Sequence, residues 1–188
     1  MKIKSLAKVC ASNHTVAICA HTDVDDGQLV QYIGNGHAIY AVRGLPRMNK
    51  DAMLTLFDVK EKDKSKWYAP EDVTTGGFDM QDTTDDEQPL RWELPCVHSG
   101  GAVMMPLETE EGDLYFIDKM YIAPVNQTED MLGLFLRRTE GGSPYVVAKD
   151  GFMFQAAIMP IMINEDFVAR LKRLWGGCMH MLEDDNGK

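Results

Sequence analysis

No stretch of this chain approaches the roughly 20 consecutive apolar residues that a membrane-crossing helix needs. The opening run Met1-Lys2-Ile3-Lys4-Ser5-Leu6 is charged and lacks the apolar segment of a secretion signal, so the expectation is a cytoplasmic protein with no membrane partner. Cysteine is sparse. Cys10, Cys19, Cys96 and Cys178 are widely scattered, and no Cys-x-x-Cys pair occurs. Without a secretory context, reduced and mostly buried thiols are expected rather than a disulfide framework. Excess positive charge is also missing. The net charge is −10, which argues against indiscriminate nucleic-acid binding over the whole surface and leaves room only for a local basic strip. Much of that excess lies in two segments, Asp79 to Glu87 and the tail Glu183-Asp184-Asp185.

What is present suits a globular fold. A hydrophobic content of 45% over 188 residues can bury a core without staples. The thirteen methionines are read first as adaptable core filler, although Met also suits plastic binding surfaces. The length fits a single domain over 1–188. It can be organised as two β lobes, 1–69 and 90–182, joined by a mobile acidic loop over 70–89.

Local patterns punctuate the chain closely. Thr15 to Ala20 reads as a strand, Asp25-Asp26-Gly27 as a turn, and Gln28 to Ile33 as the next strand. Asn35-Gly36, between apolar runs, predicts a hairpin into Ala38 to Val42, because both residues tolerate the left-handed conformation of a tight turn. Asn49 is placed to cap a short helix through Phe57, with Met53, Leu56 and Phe57 on one face. Lys60 to Lys66 reads as a charged, solvated stretch. Residues 70–89 show no apolar periodicity.

Beyond them, Arg91 to Leu94, Ala102 to Leu107, Leu114 to Ala123, Leu132 to Arg138, Tyr145 to Ala148 and Phe152 to Ile163 read as strands separated by regular turns. Asn164 then caps a helix whose apolar stripe is Phe167, Leu171, Leu174 and Trp175, with the sheet as its expected seat. Gly176-Gly177 is its predicted stop, and the tail after Leu182 is expected to fray. Short strands with regular turns predict an α+β fold, mainly antiparallel β-sheet with a few helices.

Candidate chemistry is thin. Cys19-Ala20-His21, Cys96-Val97-His98 and Cys178-Met179-His180 could each offer sulfur and nitrogen from one side, but they lack the wider spacing of structural zinc sites, so no metal and no cofactor are expected. Asp23 to Gly27 lacks the later Glu that closes a calcium loop. The glycine pairs lead into strands rather than helix N-termini, so they do not cradle phosphate. His98-Ser99 points its two side chains to opposite faces, and no catalytic residue is assigned. The most usable feature is basic: Arg170 and Arg173 share a face of the last helix, with Lys172 beside them, as candidate nucleic-acid-binding residues. Cations near a helix C-terminus serve equally to complement its dipole.

Two resemblances follow. Asn13 to Asp23, with Gln31 to Tyr40 and Gly44-Leu45-Pro46, resembles uncharacterised phage and prophage proteins of gut Gram-positive bacteria, which implies a phage context. Leu134-Phe135-Leu136, Ser143 to Val147, Asp150-Gly151 and Ala156 to Ile161 are similar to the closing strands of a DNA sliding-clamp subdomain. That likeness implies a clamp-like fold acting as a DNA-replication accessory or DNA-associated binding protein, partnered by DNA or replication proteins and open to homo-oligomer formation. The alternative is a protein-interaction module or phage regulator of a host factor; an enzyme of another type comes third. These three expect, in turn, a basic strip, an exposed apolar patch, and a pocket with converging polar groups.

Overall fold

The structure, a computed structural model, describes residues 1–22, 29–74, 77–125 and 131–186, with side chains given throughout these ranges except at 20–22 and 177–186. The fold is α+β and mainly antiparallel. A sheet of seven strands runs in the order β1 (Ala17–Thr22), β2 (Leu29–Gly34), β3 (Ala38–Arg43), β10 (Met153–Ile158), β9 (Pro144–Asp150), β8 (Leu132–Arg138) and β4 (Gln88–Pro89). A second sheet of three strands is built from β5 (Val97–Ser99), β6 (Ala102–Glu108) and β7 (Leu114–Asp118).

The segments before and after residues 70–89 are not separated, because β3 and β10 pair directly, Tyr40 opposite Ala156 and Ala38 opposite Ile158. The large sheet is thus two three-stranded meanders joined at their inner edges, with β4 added outside β8. No helix among the described residues is long and apolar enough to cross a membrane.

The N-terminal residues, read in sequence only as charged, form helix α1 (Ile3–Ala11). Leu6, Val9 and Cys10 are fully covered, while Lys4 and Lys8 face outward. The signal was there in the helical spacing of Ile3, Leu6 and Cys10.

The hairpin between β2 and β3 turns where Asn35-Gly36 places it, with a different division of labour. Only Gly36 takes positive φ, at 89°. Asn35 is buried, and its Oδ1 accepts from the amides of His37 and Ala38 at 3.1 and 3.2 Å, while its Nδ2 donates to the Val9 carbonyl at 3.1 Å. Gly34 is required by contact, since a Cβ there would lie 2.1 Å from the Ala38 carbonyl oxygen. The turn expected at Asp25-Asp26-Gly27 lies outside the described residues.

Helix α2 (Lys50–Leu56) is capped as its sequence predicts, Asn49 Oδ1 accepting from the Ala52 amide at 2.9 Å. Its buried pair is Met53 and Leu54 rather than Met53 and Leu56, which is 40% exposed, because the inward face is centred between residues 53, 54 and 57. Glu61–Lys66 is a 3-10 turn with local ion pairs Lys64–Glu61 and Lys66–Asp63 at its surface.

Three predicted strands are shorter than their apolar runs. Arg91 alone of Arg91 to Leu94 pairs, through an isolated bridge to Glu108. β7 stops at Asp118, whose carboxylate accepts from the Met120 amide at 3.0 Å and turns the chain into a 3-10 turn. β10 stops at Ile158, just before Pro160, which has no amide hydrogen to pair. The Ile161 amide then bonds to the Phe116 carbonyl at 2.7 Å and ties the exit to the small sheet.

The core lies between one face of the large sheet and a layer made of α1, α2 and the inner face of the small sheet. Ile33, Tyr40, Leu136, Val146 and Ile158 meet Leu6, Met53, Leu54, Met105, Leu107 and Ile117 there. Burying side chains of this size contributes roughly 1.5–3 kcal/mol each. This layer accounts for most of the fold's cohesion.

Candidate interaction surface

The second face of the large sheet carries a smaller cluster, Val30, Tyr32, Tyr145, Val147, Phe154 and Ala157. It is covered by the segment expected to be a free acidic loop. Phe78 packs on Tyr145 with ring centroids 4.9 Å apart, and the Asp79 amide donates to the Tyr145 hydroxyl at 3.0 Å. Arg137, 3% exposed, donates to the carbonyls of Asp79 and Gln81 at 3.1 and 2.8 Å and to the Glu87 carboxylate at 2.6 Å. Lys149 reaches the other Glu87 oxygen at 2.5 Å, and its ammonium stands 4.4 Å from the Phe135 ring centroid. Asp82 accepts from the Phe154 amide at 2.7 Å. The segment is therefore docked, because two buried cations on β8 and β9 demand acceptors and the acidic stretch supplies them. Burial on its own would raise the Glu87 carboxyl, but hydrogen bonds from Lys149 and Arg137 outweigh it and hold the group below the usual carboxylate range.

This network is closed within the chain. Among the described residues, no buried side-chain nitrogen or oxygen is without a partner. Reactive chemistry is equally muted. Burial pushes the Cys10 thiol up to about 12, so it is not a thiolate at neutral pH. Tyr40 is also raised, chiefly by burial, and donates to the Tyr121 carbonyl at 2.9 Å. An acidic cleft of about 720 Å³ takes in Asp79, Asp86, Arg138 and Glu140. No group of three or more His, Cys, Asp or Glu among the described residues could hold a metal ion. Of the Cys-x-His pairs, Cys96 is half-buried and His98 exposed on β5, while the side chains of His21, Cys178 and His180 lie outside the described set. A second cleft, about 570 Å³, is lined by Leu90, Met105, Ile122 and Leu134 with Trp92 and Lys119, whose ammonium stands 5.0 Å from the Trp92 ring centroid.

Exposed large apolar side chains also occur on helix α3 (Glu165–Asn186). Asn164 starts it as predicted, its Oδ1 accepting from the Asp166 amide at 2.7 Å. Gly176-Gly177 does not stop it. Glycine within a helix costs about 1 kcal/mol relative to Ala, and the following Cys178-Met179-His180-Met181-Leu182 contains no proline to end the helix. α3 is seated over the outer face of the small sheet rather than the large one, tied by Lys172 Nζ donating to the Gly112 carbonyl at 2.8 Å. Leu171 and Trp175 border a groove of about 620 Å³ whose other walls include Leu94, Pro95, Leu114 and Phe116.

The expected stripe is only partly covered. Phe167 and Leu171 are half-buried, Leu174 is 69% exposed and Trp175 37% exposed. Arg170, Lys172 and Arg173 are all exposed, on one helix as predicted, with Lys172 engaged by Gly112. The sequence reading missed the buried cations Arg137 and Lys149, because Arg and Lys in a strand read as its solvent face.

Comparison with protein-family models, with curated proteins and with solved structures found no match. The function is therefore argued from the surface itself. α3 is 22 residues and so about 33 Å long at 1.5 Å per residue. It combines exposed Leu and Trp with flanking Arg, beside a groove whose apolar walls are edged by Glu93, Glu108, Glu111 and Lys172.

Proposed function

We propose that this protein is a non-enzymatic protein-interaction module whose docking surface is the apolar flank of α3 together with the groove beneath it. The observation that carries this reading is the exposure of Leu174, at 69%, and Trp175, at 37%, on one helix beside that groove. A contiguous exposed apolar surface is unfavourable in water unless something covers it, and Trp and Arg are the residue types that dominate binding energy at interfaces.

The test is Leu174→Asp. If the face serves a partner, the isolated monomer should melt as wild type does, because Leu174 is 69% exposed. A melting temperature lowered as far as a core substitution lowers it would mean that α3 is packed within the fold, and the reading would fall.

A DNA-associated role is the second reading, as a replication accessory of phage origin with a clamp-like sheet, which the clamp resemblance implies. It is favoured by the exposure of Arg170, Lys172 and Arg173 on α3. The net charge of −10 makes it depend on a local basic strip. Fluorescence anisotropy with linear and circular DNA at low and high salt decides it. Binding should be independent of base sequence and weaken with salt. When the three cations become Ala, the salt slope should flatten by about 0.9 for each phosphate no longer neutralised. No binding at low salt to either form would remove it.

A further inference from the structure

We infer that the cleft between β8 and the small sheet is a small-molecule site for a single-chain amphiphile with a carboxylate head. It is separate from the α3 surface. Met105 lines this cleft, while Pro106, its neighbour on β6, lines the α3 groove. Successive strand residues face opposite sides, so the two sites lie on opposite faces of the small sheet.

The cleft opens onto the main core. Leu90, Met105, Ile122 and Leu134 belong to that core, each no more than 8% exposed, and with Leu132 they make an aliphatic floor. Trp92, 46% exposed, stands at the mouth with the exposed Lys119 and Ala123. The volume, about 570 Å³, falls within the roughly 300–1,000 Å³ of small-ligand pockets.

The lining selects the ligand. Apart from Lys119 and the Trp92 indole, no described lining side chain carries a nitrogen or an oxygen. A ligand buried there must be apolar along its body, since a polar group taken from water without a partner is penalised. Lys119 is the one charged side chain among these lining residues. Its ammonium stands 5.0 Å from the Trp92 ring centroid, and no described residue gives it a hydrogen bond or an ion pair. Arg137 and Lys149, by contrast, are matched by Glu87 within the chain. A hydrocarbon tail on the floor and a carboxylate on Lys119 complement both parts of the cleft, and one ammonium matches a singly charged head.

Isothermal titration calorimetry on the full chain tests this with decanoate, decanol and decyltrimethylammonium, which share a tail and differ in head charge. Below micellar concentrations, decanoate should bind at one site and more tightly than decanol, with decyltrimethylammonium weakest. Lys119→Gln should weaken decanoate by about tenfold, the equivalent of one charge-assisted contact, and leave decanol within about twofold. Ala123→Trp fills the mouth from an exposed position and should remove decanoate and decanol binding alike. Wild type that does not bind decanoate, or binds it no better than decanol, would overturn the site, and so would decanoate binding that survives Ala123→Trp. If Ala123→Trp does not fold, Lys119→Gln decides alone: loss of the preference for decanoate over decanol sustains the site, and its retention overturns it.

Discussion

Glu87 accepts from Lys149 at 2.5 Å, joining the last residue before β4 to the middle of the large sheet across its second face. The same carboxylate receives Arg137 at 2.6 Å, so one acid balances two cations that are each only 3% exposed. Removing it takes the carboxylate from Lys149 and leaves Arg137 only backbone carbonyls.

Glu87→Gln should therefore cost about 3 kcal/mol, the range found when one partner of a buried ion pair is deleted. The sign of the pH dependence follows from the depressed carboxyl. Its contribution is fully present above the unfolded value, about 4.3, and is lost as pH falls through the lower folded value. Urea unfolding over a pH series should show wild type converging on Glu87→Gln below about pH 4. Parallel curves throughout would mean that Glu87 is not ionised against these cations.

Leu107 and Leu174 make a matched pair for separating core from surface, since Leu107 is fully buried and Leu174 is 69% exposed. Leu107→Ala should cost about 2–5 kcal/mol, because it removes transfer energy and leaves a cavity. Leu174→Ala should change the stability of the monomer by no more than about 0.5 kcal/mol. Urea denaturation at low protein concentration measures both.

Asn35→Ala should destabilise by about 2 kcal/mol, since it removes acceptors from two turn amides and a donor from the Val9 carbonyl in a buried setting. Hydrogen exchange at Ala38, whose amide relies on Asn35, should rise more than exchange at the ladder amides of β9. Equal changes at both would place the effect in global stability rather than in the turn.

Alkylation at neutral pH should separate the described cysteines. Cys10 is fully buried, with its thiol raised to about 12, and should resist iodoacetamide until the protein unfolds. Cys96 is half-buried and should be modified first of Cys10, Cys19 and Cys96. Cys19 should lag behind it, since burial and then the nearby Asp72 carboxylate raise its thiol. Peptide mapping by mass spectrometry reads the order, and early labelling of Cys10 would show that α1 opens in the native state.

Local residue chemistry alone determined the hairpin at Asn35-Gly36, the caps Asn49 and Asn164, and the antiparallel character of the sheets. The hairpin and the caps depend mainly on hydrogen bonds and a backbone angle set within four residues, and the antiparallel character follows from short strands punctuated by turns. Only the tertiary structure decided that β3 meets β10, that α3 lies over the small sheet with its stripe half-covered, and that the acidic segment is docked. These features depend on partners up to a hundred or so residues away. Arg137 and Lys149 look like a strand's solvent face until the chain places Glu87 and the Asp79 and Gln81 carbonyls above them. The Gly176-Gly177 stop failed for a related reason: a local penalty of about 1 kcal/mol per glycine is small enough for the surrounding helix to override.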